Sequence, residues 1–134
     1  LLQACADNRP NVATSVRRIF AIDVAGGAKL CQAPKLTPAD GQTTEAVMGV
    51  GNDGGWCGIT AQMPGGKPFG AGLLSKRPAH GNVLIHEVGD FTRIDYTPDR
   101  GFSGDDSFAV KLVPGGATIH VTVSVAGPGA ALKS

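Results

Sequence analysis

Three cysteines, three histidines and a few clustered acids are the residues of this chain with chemistry to offer. Cys31 and Cys57 flank a segment holding Asp53, Gly54, Gly55 and Trp56, and a disulfide between them would close a loop across two strands. In the chain-entropy view such a bridge stabilises by about 3–4 kcal/mol. The alternative is a pair of buried thiols. A zinc site does not fit the spacing, because neither cysteine has a second Cys or His close by in sequence. Cys5 stands apart. The run Leu1-Leu2-Gln3-Ala4-Cys5-Ala6 has the form of the end of a lipoprotein signal, with Cys5 as the lipidation candidate. Read differently, Ala4-Cys5-Ala6 is a small-x-small cleavage site before Asp7. Both readings point out of the cytoplasm, to the periplasm or the bacterial cell surface.

The histidines, His80, His86 and His120, are far apart in sequence. His86 and His120 fall on neighbouring hairpins. With Glu87, Asp95 or Met48 they sketch a copper or zinc site whose geometry no spacing fixes, so solvent-facing or loop-packing histidines are the expectation. Calcium takes about six to eight oxygens. Asp53 lies in one loop and Asp99, Asp105 and Asp106 in another, without an Asp-x-Asp-x-Asp-Gly pattern. Their spacing defines no cage, so no cofactor is expected, with calcium the alternative, and turn capping is the favoured use of these acids. Gly101-Phe102-Ser103-Gly104-Asp105 lacks the second glycine of a nucleophile elbow and sits at a strand-to-strand corner. Cys57 has no histidine placed near it in sequence, and no Gly-Lys-Ser/Thr loop cradles a phosphate. No enzyme is expected. For binding, the Gly-rich segment around Lys67, Pro68, Phe69 and Gly70 is the candidate docking loop, with Phe69 as an exposed anchor.

The elements that must carry these residues are strands. The 20 Gly and 9 Pro punctuate short apolar runs, and no long helical period appears. Val16 to Val24 reads as a first strand ending at Gly26-Gly27, and a helical turn can start at Thr37-Pro38. Thr43–Val50 and Trp56–Met63 read as strands around a Gly-rich turn. Phe69–Ser75, broken by Gly70 and Gly72, reads as an edge strand or bulge. Val83–Val88 and Phe91–Tyr96 make one hairpin, and Ser107–Val113 with Ala117–Val125 a second. In the last strand Ile119, Val121, Val123 and Val125 alternate with Thr118, His120, Thr122 and Ser124, the period of a sheet with one wet face. The fold class is all-β, an immunoglobulin-like antiparallel β-sandwich of about seven to nine short strands. Trp56 is expected to pack against the disulfide in its core. The organisation expected is an N-terminal segment at 1–15, the sandwich at 16–126 and a flexible tail at 127–134.

Twelve basic and eleven acidic residues leave a net charge of +1 over 134 residues. That balance gives no general attraction to nucleic acid or to anionic membranes. Membrane attachment is expected only through a lipid on Cys5, and the partner expected is a protein or a larger extracytoplasmic assembly.

Residues 77–125 carry a resemblance. Arg77-Pro78-Ala79-His80-Gly81-Asn82-Val83 is followed by Tyr96-Thr97-Pro98-Asp99-Arg100-Gly101-Phe102-Ser103-Gly104-Asp105-Asp106-Ser107-Phe108. This resembles bacterial extracellular Ig-like/cadherin-like repeat domains. The resemblance implies a β-sandwich in secreted or surface-anchored proteins, serving adhesion or spacing. The same residues make physical sense as a structural corner. Pro98 sets a turn leaving the strand at Tyr96, and Gly101 and Gly104 allow crowded geometry around Phe102. Asp106 is placed to accept loop amides just before Phe108.

Overall fold

A computed structural model describes residues 25–127 of the chain. The expected strand at 16–24, the candidate lipidation residue Cys5 and the tail from 128 onward lie outside these described residues. Nine strands follow in order: β1 (Cys31–Gln32), β2 (Lys35–Leu36), β3 (Thr43–Gly51), β4 (Cys57–Ala61), β5 (Ala71–Lys76), β6 (Gly81–Val88), β7 (Phe91–Pro98), β8 (Gly104–Val113) and β9 (Ala117–Ala126). They form a five-stranded sheet in the order β1-β3-β9-β8-β5 and a four-stranded sheet in the order β2-β4-β7-β6. Most pairs are antiparallel, while β3 with β9 and β2 with β4 run parallel. The β4-β7-β6 and β9-β8-β5 groupings match the two-sheet plan of an immunoglobulin-like sandwich.

Alternation in sequence becomes alternation in space. Ile119, Val121, Val123 and Val125 of β9 are buried, and Thr122 and Ser124 between them are exposed. They pack between the sheets with Met48 and Val50 of β3, Ile59 of β4, Ile94 and Tyr96 of β7, and Phe108, Val110 and Leu112 of β8. Both late hairpins form, with Val88 opposite Phe91 in one and Leu112 opposite Ala117 in the other. β5 is an edge strand, and its register with β8 shifts between Leu74 and Lys76.

Cys31 and Cys57 form a disulfide with a Cα–Cα distance of 5.4 Å. It joins β1 of one sheet to β4 of the other, and points to an oxidising, extracytoplasmic setting. Among the described residues no helix is long and apolar enough to cross a membrane.

Two local expectations are corrected. No helical turn forms at Thr37-Pro38; Pro38 is buried and the chain reverses just after it, where Gln42 N–H donates to the Ala39 carbonyl at 3.2 Å. Trp56 is only half-buried and lies outside the core. The cause is strand phase: Cys57, Ile59 and Ala61 point inward, so Trp56, Gly58 and Thr60 point to the opposite face.

Candidate binding face

The outer face of the four-stranded sheet carries an unusual set of polar groups. Register places Gly58 beside Asp95 and Thr60 beside Arg93 across β4 and β7. On the other side of β7, Leu84 lies beside Asp95 and His86 beside Arg93. Arg93 and Asp95 are 7% and 5% exposed although they sit on an outer face. Burying an ion pair is costly unless hydrogen bonds compensate for the lost water, and here both oxygens of the Asp95 carboxylate are engaged. Arg93 Nε donates to both Asp95 oxygens, at 2.8 and 3.1 Å. His86 Nε2 lies 2.7 Å from Asp95 Oδ2.

Two neighbours make this burial possible. The Arg93 guanidinium lies 3.9 Å from the centre of the Trp56 ring, a cation–π stack. Trp56 is itself held by its Nε1–H donating to the Ala25 carbonyl at 2.9 Å. Beneath the pair, Gly58 supplies room, since a Cβ there would run into the Asp95 carboxylate and the Arg93 methylenes. At the rim Leu84 is 59% exposed, and Phe91 is half-buried beside the Lys35 ammonium. The result is a half-exposed aromatic ring fixed in place by a buried ion pair, with an apolar border.

The corner residues of the sequence reading converge at one end of the sandwich. Asp106 accepts from the backbone amides of Ala79 at 2.8 Å, His80 at 2.9 Å and Ser107 at 2.9 Å. The Tyr96 hydroxyl donates to it at 2.8 Å. Burial alone would raise the Asp106 pKa, but the hydrogen bonds from Ala79, Tyr96, Ser107 and His80 outweigh it and leave the group below the usual carboxylate range. Tyr96 is pushed well above its ordinary value, first by burial and then by its bond to Asp106 and the nearby negative charge. Gly101 and Gly104 take φ values of 80° and 131°, and Phe102 stacks on His80 with ring centres 4.2 Å apart. Tyr96 and Phe108 lie fully inside the core. A cleft of about 480 Å³ lies beside this corner, between residues 52–54 and 97–101. Asp53, at its mouth, is held below its ordinary pKa by the Lys29 and Gly55 amides.

The docking loop differs from expectation. Phe69 is 1% exposed and belongs to the core, so it is no exposed anchor. Its ring fills the interior between the sheets, its N–H donates to Thr92 Oγ1 at 2.8 Å, and Gly70 N–H donates to the Val113 carbonyl at 2.9 Å. Lys67 and Gly70 remain exposed and Pro68 half-buried around a tight turn in which Met63 bridges Lys67. The metal sketch also dissolves. His86 and His120 lie on different sheets; Asp95 is engaged by Arg93 as well as by His86, His120 Nδ1 lies 2.9 Å from Glu45 Oε1, and Met48 is in the core. Among the described residues no three His, Cys, Asp or Glu side chains converge on one point.

Arg93 and Trp56 are the functional candidates that sequence reasoning missed as a pair. The signal was available in part: Phe91-Thr92-Arg93-Ile94-Asp95-Tyr96 alternates, placing Arg93 and Asp95 on one face. Which strand supplies the ring above Arg93 depends on register between β4 and β7, and that register is not written in either strand alone. In the comparisons with known proteins, no protein-family model and no curated protein matches the chain.

Proposed function

We propose that the chain is a non-enzymatic, exported binding or assembly module, an accessory subunit or surface domain that docks on another protein. The observation that carries this reading is the outer face of the four-stranded sheet. Trp is among the side chains most enriched at interface anchors, and an anchor acts best when held rigid before the partner arrives. Here the half-exposed Trp56 ring is held by its stack on the buried Arg93, which Asp95 fixes in turn, and by the Ala25 carbonyl, and Leu84 extends the surface at its border.

The compartment part of the reading rests on the disulfide, and on the resemblance of residues 77–125 to bacterial extracellular Ig-like/cadherin-like repeats. On this view the protein works in the periplasm or at the cell surface. Cys5 is then the candidate lipid anchor, and a single lipid needs a second contact for stable attachment. A protein partner supplies one.

The test has two arms. In cells producing the full natural chain, Cys31 and Cys57 should resist thiol alkylation until reduced. Trp56→Ala should abolish in-cell cross-linking to the partner, while Val47→Lys, on the other sheet, should leave it intact. Free thiols in a cytoplasmic pool, or cross-linking unchanged by Trp56→Ala, would refute the reading.

A further inference from the structure

The cleft at the Asp106 end of the sandwich has the size of a small-ligand site, about 480 Å³, and its two walls are the segments 52–54 and 97–101. Both walls are fixed before any ligand arrives. Asn52, 5% exposed, donates from Nδ2 to the Asp99 carbonyl at 2.8 Å and to the Phe102 carbonyl at 2.9 Å, which ties one wall to the other. Asp53 is fastened by the Lys29 and Gly55 amides, one on each carboxylate oxygen and both at 3.0 Å. On the far wall Phe102 N–H closes a turn on the Asp99 carbonyl at 3.0 Å. Gly54 and Gly101 take φ values of 90° and 80°, and a Cβ on either would meet nothing within 4 Å. The space therefore runs up to the backbone of both walls.

The walls differ in chemistry. The 52–54 wall offers acceptors. Two carbonyls on Nδ2 fix which end of the Asn52 amide is nitrogen. Its Oδ1 is left without a partner among the described residues and open to solvent. Asp53 is exposed, and its carboxylate keeps lone pairs beyond those given to the two amides, which hold it anionic. The 97–101 wall offers donors. Arg100 is exposed and makes no hydrogen bond or ion pair among the described residues. Opposite charges thus line one cleft without pairing with each other.

That arrangement selects its ligand. A metal ion would find a single lining carboxylate and a guanidinium facing it. A polyanion would meet Asp53, and no aromatic ring lines the cleft for a base or a sugar to stack on. We propose that the cleft binds a small zwitterion, an amino acid or short peptide, with its ammonium group on Asp53 and Asn52 Oδ1 and its carboxylate on the Arg100 guanidinium. The site shares no lining residue with the Trp56 face and adds a small-molecule activity to the docking role.

The experiment titrates the isotope-labelled full chain with alanine and with alanylalanine, followed by NMR at the Gly54 and Gly101 amides and the Asn52 side-chain amide. Saturable shifts at these groups are expected. Whichever compound binds more tightly identifies the source as a free amino acid or a peptide. N-acetylation or C-terminal amidation of that compound should each weaken binding by roughly tenfold or more, the loss expected when a hydrogen-bonded charge is removed. Arg100→Gln should abolish the discrimination against the amide and keep that against the acetylated form. Asp53→Asn should do the reverse. Because Arg100 is exposed and has no partner among the described residues, its substitution should leave the resonances of the core in place. Shifts that are absent or do not saturate with either zwitterion, or blocked compounds that bind as well as the free ones, would overturn the inference. Cross-linking through Trp56 is a separate readout, so the two proposals fail separately.

Discussion

Asp106 concentrates the pH dependence of the corner. Its carboxylate receives three amides and the Tyr96 hydroxyl, and its pKa lies below the unfolded value of about 3.9. A depressed folded pKa contributes stability that is present above the unfolded value and lost as pH falls through the folded one. Asp106→Asn should therefore flatten the acid limb of the stability curve, and at neutral pH should cost about 1.5–3 kcal/mol, the range for hydrogen bonds to a charged group. Denaturant titrations from neutral to strongly acidic pH measure both effects; an unchanged acid limb would contradict the assignment. Tyr96 supplies the opposite check. Its folded pKa is raised, so its contribution is present below about pH 10 and lost as pH rises through the folded value. It is the only tyrosine in the chain. Tyrosinate absorbance should therefore appear together with unfolding at alkaline pH, not ahead of it.

At the scale of the strand, the outer face of β4 and β7 depends on one missing side chain. Gly58 lies beside Asp95, and a methyl group there would collide with the carboxylate and with the Arg93 stem. Overpacking of this kind costs about 1–3 kcal/mol. Gly58→Ala should lower stability by that amount and move Arg93 off the Trp56 ring. Trp56 is the only tryptophan, so its fluorescence reports the displacement directly; an emission spectrum identical to wild type would count against the stack. The strands themselves were legible from local pattern. Alternation over Ile119–Val125 and the Gly-Asp turn after Val88 each state their geometry within a few residues. The site was not legible in the same way. Phe69 reads as a loop aromatic because Gly and Pro surround it, yet the core needs its volume at the end of the sandwich. Trp56 reads as a core residue because Cys57 follows it, yet adjacent residues of a strand face opposite ways.

Over the whole molecule, the two sheets are joined by side-chain packing throughout and by a covalent link at one place. The core from Met48 to Val125 draws on both sheets and is nearly free of solvent. The Cys31–Cys57 bridge fastens β1, a two-residue strand paired only with β3 among the described residues, to the buried end of β4. A strand that short cannot hold its place by hydrogen bonds alone. The bridge therefore acts in two ways, shortening the loop of the unfolded chain and anchoring the segment that leads from Ala25 past Trp56. Removing both thiols by Cys31→Ala with Cys57→Ala should cost about 2–4 kcal/mol. It should leave the β-sheet circular dichroism intact, because the packed interior does not depend on it. The urea midpoint should fall while the Asp106 corner, built from other strands, keeps its acid limb. The loss should be visible first at the outer face, as a change in Trp56 emission at urea concentrations below the main transition, since the segment carrying the Ala25 carbonyl is released before the sheets part. A double variant that unfolds at the wild-type midpoint, in a single step by both probes, would show that packing alone holds β1 in place.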